Sequence, residues 1–324
     1  MLYPLKFQPI LKEKIWGGNK LETVLNKPTS GDGIGESWEI STVGSDISII
    51  SNGNLKGEKL DTLIKEYQAE IVGEKVYQQF GDQFPLLIKF IDAKQDLSVQ
   101  LHPNDELAKR RHNSFGKTEM WYVVQADTDA RLIVGFNNET TKEEYESYLE
   151  KGKITELLNF ENISKGDSYF IKAGTIHAIG GGSLIAEIQQ TSDITYRVYD
   201  WDRKDGQGNQ RELHTEQALD ALDYNADKSF RLSYDRTENQ INNIISSPYF
   251  TTGFLEVTAS LERDYSQLDS FKILMCIQGE GTIINNDFSL EVAFGETVLI
   301  PAKINNITIV GDTEGVQFLE VYIK

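Results

Sequence analysis

The segment GDSYFIKAGTIH, residues 166–177, is the most informative part of the sequence, because GETVLIPAKINN, residues 295–306, repeats its pattern. Each copy begins with a glycine and continues with five residues suited to a buried strand. A turn follows in each copy, and three places beyond it stands a polar residue, His177 in the first copy and Asn306 in the second. The repeat predicts two related β units, of which the first has a histidine at this position and the second an asparagine.

Three further residues form a candidate metal-ligand set with His177. Gln100 and His102 occur in QLHP, and Glu119 occurs in GKTEMWYVV, while the whole chain has only four histidines. Because Gln100 and His102 are two residues apart, both side chains project from one face of a strand. Two imidazoles, a carboxylate and an amide oxygen suit Zn²⁺, and Mn²⁺, Fe²⁺ or Co²⁺ are possible alternatives.

Charged residues close to this set in the sequence indicate the chemistry. Lys117 lies two places before Glu119, and Asp193 and Arg197 alternate along one strand in TSDITYRVYDWDR. A metal ion together with a lysine and an arginine suits a sugar phosphate and an enediolate-like transition state. Moving a proton between adjacent carbons also requires a base, and Lys117, Asp193 and a metal-bound water are the alternatives.

The rest of the pattern is mainly that of a β protein. Short alternating or β-branched runs separated by glycine turns predict strands from about residue 37 to 200 and again from 247 to the end. Four helices are predicted near Asp61, Asn104, Thr141 and Thr215, as insertions into the first unit. The polar stretch 225–243 is interpreted as a linker or surface strand. We therefore expect a domain of residues 1–240 and a second of residues 241–324.

Composition limits the partners. The 324-residue chain has a net charge of −18, which argues against nucleic acid or an anionic membrane as partner, and no stretch is apolar enough for a membrane span or signal peptide. An anionic substrate therefore needs a local group of cations. The single cysteine, Cys276, excludes intrachain disulfides. We expect a cytoplasmic protein that is a monomer or a weak homodimer.

The repeated segment resembles the second sequence motif of the cupins, whose histidine at this spacing binds a metal. The chain as a whole resembles the type I mannose-6-phosphate isomerases (phosphomannose isomerases), in particular their short bacterial form. The matching blocks are WGG, GESWEIS, PLLIKFIDA, LSVQLHP, GKTEMWYV, AGTIHAIGGG and EIQQTSDITYRVYDWDR. These blocks occur in the family's order through the first two-thirds of the chain.

The resemblance implies a fold of two cupin barrels and one Zn²⁺ per chain in the first barrel. It implies metal ligation by Gln100, His102, Glu119 and His177, with Lys117, Asp193 and Arg197 as active-site residues. The reaction would interconvert mannose 6-phosphate and fructose 6-phosphate through a cis-enediol. The long form of the family has a histidine where this chain has Gly116, so that histidine's role does not transfer.

The contacts with the sugar and its phosphate are predicted from residues close to these motifs. Trp16 and Trp38 are candidates for the walls of the sugar site. The remaining substrate-binding candidates are polar residues in nearby strands and turns: Ser37, Lys89, Lys94, Ser192 and Arg203.

Three alternatives to this function remain at this point. The first is a family member that acts on another hexose phosphate. The second is a cupin oxidoreductase that uses Fe²⁺, although Lys117 and Arg197 would serve no evident purpose with an apolar substrate. The third is a non-catalytic sugar-phosphate sensor, for which the sequence offers no output module.

Overall fold

The structure is a computed structural model that describes residues 2–29, 31–204, 207–226 and 229–324. The helices are α1 (Lys20–Thr23), α2 (Leu60–Tyr67), α3 (Ala69–Val72), α4 (Glu74–Phe80), α5 (Asp105–His112), α6 (Lys142–Glu150) and α7 (Thr215–Ala221), with a 3-10 helix at Ile154–Leu157. The strands are β1 (Leu5–Lys6), β2 (Ile10–Gly18), β3 (Ile34–Ile40), β4 (Thr42–Val43), β5 (Asp46–Ile47), β6 (Leu86–Ala93), β7 (Val99–Leu101), β8 (Glu119–Ala126), β9 (Arg131–Phe136), β10 (Leu158–Asn162), β11 (Ser168–Ile171), β12 (His177–Ile179), β13 (Ser183–Gln190), β14 (Tyr196–Tyr199), β15 (Arg231–Leu232), β16 (Ile241–Ser246), β17 (Thr251–Val257), β18 (Ser260–Asp264), β19 (Lys272–Asn285), β20 (Phe288–Ala293), β21 (Thr297–Ile300) and β22 (Asn306–Tyr322).

Two sheets form the first β unit. One has the strand order β15-β11-β8-β13-β6-β2-β3 and the other has the order β10-β9-β12-β7-β14. Apolar side chains of both sheets meet in one core, where Trp121 and Ile185 of the first sheet pack with Leu132 and Ile179 of the second. Because β8 and β12 begin at the same end of this core, their first residues, Glu119 and His177, lie close together.

The second unit is built from a single eight-stranded sheet around two long strands, β19 and β22. Its interior contains Leu274, Cys276 and Phe318, all fully buried. The prediction of a mainly β protein with two cupin units and helical insertions in the first is confirmed. Among the residues that the structure describes, hydrogen bonding does not close either unit into a complete barrel, so each is better described as packed or strongly curved open sheets.

The sequence repeat corresponds to a repeat in backbone geometry. Gly166 and Gly295 have φ angles of 87° and 88°, which favour glycine because a side chain would crowd the backbone. The amide of Gly166 donates to the Val123 carbonyl at 2.8 Å, and that of Gly295 donates to the Cys276 carbonyl at 2.9 Å. The turn of each copy is therefore attached in the same way to the strand beside it.

The four predicted helices are present as α2, α5, α6 and α7. Asn104 and Thr141 cap α5 and α6, and their side chains accept hydrogen bonds from the amides of Leu107 and Glu144 at 2.9 and 3.2 Å. The sequence patterns did not predict α1, α3 or α4. α1 and α3 have only four residues each, which is too few for a periodic apolar pattern.

Contacts between the units cross the predicted domain boundary. Strand β1, at the start of the chain, pairs with β21 of the second unit. The Asp269 carboxylate accepts from the amide of Glu74 at 2.7 Å, at the first residue of α4. Of the predicted linker 225–243, residues 227–228 lie outside the described residues, and β15 pairs with β11 of the first unit. The division at residue 240 stays a prediction.

Candidate active site

Three predicted metal ligands meet at one point. His102, Glu119 and His177 are buried, and their ligand atoms all lie within 4.8 Å of one another. Glu119 stands between the imidazoles, with its carboxylate oxygens 3.5 Å from His102 Nε2 and 3.4 Å from His177 Nε2. Neither imidazole Nε2 and neither Glu119 oxygen forms a regular hydrogen bond within the part of the chain that the structure describes. Buried ligand atoms without regular hydrogen bonds, where Glu119 has only an ion-pair contact with Lys117, indicate a site built for a cation.

Backbone carbonyls set the orientation of both imidazoles. His102 Nδ1 donates to the Ile194 carbonyl at 2.8 Å, and His177 Nδ1 donates to the Thr175 carbonyl at 2.9 Å. Each ring therefore presents Nε2, with its free lone pair, to the centre of the cluster. This is the arrangement that a metal-binding histidine requires.

Burial determines the protonation of the cluster. It lowers the pKa of His177 to about 4, and burial together with the Lys117 ammonium lowers the pKa of His102 well below its usual range. Both imidazoles are therefore neutral near pH 7. Burial raises the pKa of Glu119 to about 7 despite the opposing effect of Lys117. A cation at this point would reverse that shift, because it favours the carboxylate form.

Gln100 lies next to the cluster on β7, where its Cα is paired in register with that of His177. Its side chain lines the cavity, and its amide oxygen accepts a hydrogen bond from Ser98 Oγ at 3.3 Å. Ser98 Oγ in turn accepts from Arg197 Nε at 3.3 Å. Gln100 is thus beside the ligands and connected to Arg197, and its direct coordination of a metal stays a prediction.

Lys117 points to the same place as Glu119. Its Nζ lies 3.0 Å from a Glu119 oxygen, and the lysine is 5% exposed. The preceding residue, Gly116, has no room for a side chain, since a Cβ there would lie 2.5 Å from the Asp105 amide nitrogen. Gly116 is thus packed closely on the start of α5, and a larger residue at this position would require the backbone to shift.

A row of side chains crosses the larger sheet below the cavity. The register pairs Trp38 with Lys89, Lys89 with Glu187, and Glu187 with Trp121 on adjacent strands. Glu187 accepts from Lys89 Nζ at 3.0 Å and from Trp121 Nε1 at 2.9 Å. Burial opposes both charges, but the pair offsets it: Lys89 lowers the pKa of Glu187, and Glu187 raises that of Lys89. The row is therefore a fixed, charged platform.

The cavity above this row is strongly cationic for so acidic a protein. Within the described part of the chain, five basic and three acidic side chains line it. The basic ones are Lys14, Lys89, Lys117, Arg197 and Arg211, and the acidic ones are Glu36, Glu187 and Asp193. Among the described residues, Arg197 has no carboxylate partner within 4.0 Å, and Nη1 donates to the Glu212 carbonyl at 2.8 Å. The cavity thus offers a guanidinium to an anionic ligand.

Two tryptophans and the exposed carboxylate of Asp193 also line the cavity. Five of the other predicted site residues line it as well: Lys89, Gln100, Lys117, His177 and Arg197. Trp16 and Trp38 are almost completely buried beside it. Asp193, Thr195 and Arg197 face the cavity together, although the strand itself begins at Tyr196. The predicted alternation of side chains over residues 193–197 is therefore present, although most of these residues precede the regular strand.

Four predicted substrate-binding residues lie away from the lining. Ser37 is buried and donates to Glu39 at 2.6 Å, and Lys94 is exposed and pairs with Asp32 at 3.2 Å. Ser192 is buried with its hydroxyl accepting from the Ile194 amide at 3.4 Å. Arg203 forms an ion pair with Asp200 and donates to the Asp96 carbonyl at 2.6 Å. A direct role for these residues in substrate binding stays untested.

Glu187 and Arg211 line the cavity but were not among the predicted site residues. Glu187 was visible in the block EIQQ, where a single acidic residue interrupts a buried strand, and that interruption was the available signal. Arg211 lies in an irregular segment without periodicity and is attached to Asp200 by a hydrogen bond of 2.8 Å from Nε. Its place in the lining had no counterpart in the sequence pattern.

The fold and the site together define a cupin-type protein with a candidate metal centre in the first of two β units. Comparison with known proteins identifies the family within this class. The pattern of the family "Phosphomannose isomerase type I, catalytic domain" matches residues 4–147, and that of "Mannose-6-phosphate isomerase, cupin domain" matches residues 240–318.

Individual relatives cover nearly the whole chain. A mannose-6-phosphate isomerase of Bacillus subtilis, ManA, is 36% identical over 318 residues, which are 96% of this chain and 97% of the relative. A mannose-6-phosphate isomerase of Streptococcus mutans is also 36% identical over 318 residues, covering 97% of each chain. The crystal structure of the mannose 6-phosphate isomerase from Bacillus subtilis superposes with a TM-score of 0.89 at 32% identity, covering 99% of this chain and 100% of that one.

The chain belongs to the type I phosphomannose isomerases, the enzyme family also called mannose-6-phosphate isomerases. The resemblance inferred from the sequence motifs is confirmed. No helix in the described part of the chain combines the length and apolar character needed to cross a membrane.

Proposed function

We propose that this chain interconverts mannose 6-phosphate and fructose 6-phosphate and uses one Zn²⁺ held by His102, Glu119 and His177, with Gln100 as a fourth ligand. The observation that carries the proposal is the group of facing ligand atoms left without regular hydrogen bonds at the base of a cationic cavity. Two neutral imidazoles, a carboxylate and an amide oxygen match the preferences of Zn²⁺. Bound there, the ion would supply positive charge for the oxygens of the sugar.

Lys117 is the residue to which we assign proton transfer between the two sugar carbons. It is buried at the base of the cavity, whereas Asp193 is exposed at its edge. The neutral amine of Lys117 takes the proton from the carbon next to the carbonyl group and becomes an ammonium, and the carbonyl oxygen gains a proton, which gives the enediol. The ammonium then returns a proton to the former carbonyl carbon while the hydroxyl on the other carbon loses its proton, so that the carbonyl group moves to that carbon. Lys117 Nζ lies 3.0 Å from a Glu119 oxygen. This contact limits the movement of the lysine side chain while it transfers a proton between the two carbons.

Arg197 and Arg211 are assigned to the negative charge of the substrate. Both line the cavity, and burial together with Arg211 lowers the pKa of Arg197, which nevertheless stays charged because its ordinary pKa is so high. Asp200 and backbone carbonyls hold the two guanidinium groups in place. Trp16 and Trp38 would bound the sugar ring, and Lys89 completes the cationic lining.

Solvent isotope exchange tests the assignment. The metal-loaded protein is incubated with mannose 6-phosphate in D₂O, and the products are analysed by NMR. We expect fructose 6-phosphate with deuterium at the carbon that receives the proton. Lys117→Arg keeps the positive charge, but a guanidinium does not lose its proton near neutrality and cannot act as a base. We expect this variant to lose turnover by at least about 10²-fold. Retention of full turnover in that variant would transfer the role to another group, with Asp193→Asn as the next variant.

A further inference from the structure

The backbone on both sides of Lys117 is attached to two polar side chains outside the cavity. The Gly116 amide donates to Asp105 Oδ1 at 2.8 Å. The Thr118 amide donates to Gln190 Oε1 at 2.9 Å. Lys117 is therefore the middle residue of a three-residue segment whose flanking amides are both held by side chains.

The two side chains are also bonded to each other. Gln190 Nε2 donates to the same Asp105 oxygen at 3.0 Å, so that oxygen accepts from both Gly116 and Gln190. Gln190 is 7% exposed, and its own backbone amide donates to the Thr118 carbonyl at 3.2 Å. Asp105 and Gln190 thus form a closed hydrogen-bonded bracket, which we call the Asp105–Gln190 bracket.

Two further contacts leave the segment little freedom. The Lys117 amide donates to the Pro103 carbonyl at 3.1 Å. Gly116 lies so close to the start of α5 that an added Cβ would be 2.7 Å from the Asn104 carbonyl carbon. The bracket therefore holds a segment that is already packed closely against α5. Together these contacts restrict the direction in which the Lys117 side chain leaves the backbone.

We propose that Asp105 and Gln190 are positioning residues that aim the Lys117 ammonium at Glu119 and the cavity. The proposal rests on the proposed function, in which Lys117 carries the proton. Asp105 and Gln190 do not line the catalytic cavity; they line a separate groove on the outer side of the segment, together with Phe80, Phe115 and Tyr249. Their influence on the reaction must therefore pass through the backbone of residues 116–118.

The effect should fall on the rate of the chemical step more than on substrate binding. A displacement of about 1 Å of a catalytic group costs on the order of 10²-fold in rate. The cations Arg197, Arg211 and Lys89 are untouched by changes in the outer groove, so the affinity for the sugar phosphate should be retained.

The test compares substitutions that remove the bracket with one that keeps it. Asp105→Ala removes the shared acceptor, and Gln190→Met removes the amide at similar volume. Asp105→Asn retains an oxygen that can accept from both donors. Gln79→Ala is the matched control, because Gln79 is an exposed glutamine in the same groove. Steady-state kinetics with mannose 6-phosphate and the bound metal content are measured for each protein.

We expect Asp105→Ala and Gln190→Met to lower kcat by roughly 10- to 100-fold with KM within about threefold of the wild type. Asp105→Asn and Gln79→Ala should stay within about threefold in both constants, and all variants should bind metal. A rise in KM at unchanged kcat, or an Asp105→Asn variant as slow as Asp105→Ala, would overturn the proposal.

Crystal structures of the same variants separate this proposal from the proposed function. If the wild type binds metal but does not turn over mannose 6-phosphate, the proposed function fails. The bracket is then judged on geometry alone. Loss of the 3.0 Å contact between Lys117 and Glu119 in Asp105→Ala, with its retention in Asp105→Asn, supports the positioning role. An unchanged contact in both variants refutes it.

Discussion

Lys272 occupies in the second unit the register position that Glu119 occupies in the first. Glu119 is paired with Ile171, the sixth residue of the first repeated segment, and Lys272 is paired with Ile300, the sixth residue of the second. A proposed metal-binding carboxylate in one unit thus corresponds to an ammonium in the other. Lys272 is fully buried, and its Nζ donates to the Ile304 carbonyl at 3.0 Å.

The equivalence extends to a neighbouring carboxylate. Glu187 is paired with Trp121 in the first unit, and Glu320 with Leu274 in the second, two residues after Glu119 and Lys272 respectively. Glu320 accepts hydrogen bonds from Arg263 and Tyr265 at 2.7 and 2.6 Å. The corresponding positions of the second unit are therefore occupied by Lys272 and by a carboxylate that Arg263 and Tyr265 bind.

The first prediction concerns the charge of Lys272. Burial lowers the pKa of Lys272 to about 8, from an ordinary value of 10.5. Between these values the unfolded chain binds more protons than the folded one, so folded stability rises with pH in this window. Relative to Lys272→Met, the wild type should gain up to about 3 kcal/mol between pH 8 and 10.5. Urea unfolding of both proteins at several pH values measures it, and parallel stability curves would contradict it.

The second prediction separates metal binding from catalysis. His177→Ala should lose the bound metal, because it removes one of three clustered ligands. Arg197→Ala should keep the metal and lose most of the rate, since Arg197 lines the cavity without belonging to the cluster. Metal analysis and steady-state kinetics measure the two effects. If Arg197→Ala unfolds the protein instead, as circular dichroism would reveal, Arg197 has a structural role.

The third prediction concerns the pH dependence of metal affinity. Since burial raises the pKa of Glu119 to about 7 in the metal-free protein, a proton competes with the metal below that pH. Affinity should fall by about tenfold per pH unit from about 7 downwards, and more steeply near pH 4, where His177 also gains a proton.

Calorimetric titration with Zn²⁺ in two buffers of different ionisation enthalpy counts the protons released. We expect about one proton per metal at pH 6 and less than half a proton at pH 8. Glu119→Gln should bind metal weakly and without this proton release. Equal affinity at pH 6 and pH 8 in the wild type would exclude Glu119 as the titrating ligand.

The fourth prediction concerns the Lys89–Glu187 pair below the cavity. The Lys89 and Glu187 side chains are 6% and 4% exposed, and their charges compensate each other at 3.0 Å. Removing one partner leaves a buried charge, so Lys89→Met should lower the free energy of unfolding by roughly 3–5 kcal/mol. The double variant Lys89→Met/Glu187→Leu should recover part of this loss. Denaturant unfolding of the two variants decides between a coupled pair and independent side chains.

The ligand cluster was predictable because simple rules determine it. His102 and His177 stand at or beside strand ends next to turns, and Glu119 opens a strand that follows a short loop, so strand alternation sufficed to bring their side chains together. Lys117 followed from the same alternation. The helix starts at Asn104 and Thr141 were also predictable from local sequence, because asparagine and threonine are preferred N-cap residues.

The substrate-binding residues were harder to predict because the neighbouring strands determine which side chains of a strand point into the cavity. On β3, Glu36 and Trp38 face the cavity, so Ser37 between them faces the other side. On β6, Lys89 and Ile91 face the cavity, and the chain turns away before Lys94. Arg203 forms an ion pair with Asp200, three residues earlier in the chain. No sequence pattern indicated that these two side chains would pair.

The most direct test of the central claim combines metal analysis with a coupled assay of mannose 6-phosphate turnover. Purified protein is stripped with a chelator and titrated with Zn²⁺ while activity and bound metal are followed together. We predict that activity disappears with the metal and returns in proportion to occupancy, reaching its maximum at one ion per chain. Full activity in the stripped protein, or no turnover with the site fully occupied, would contradict it.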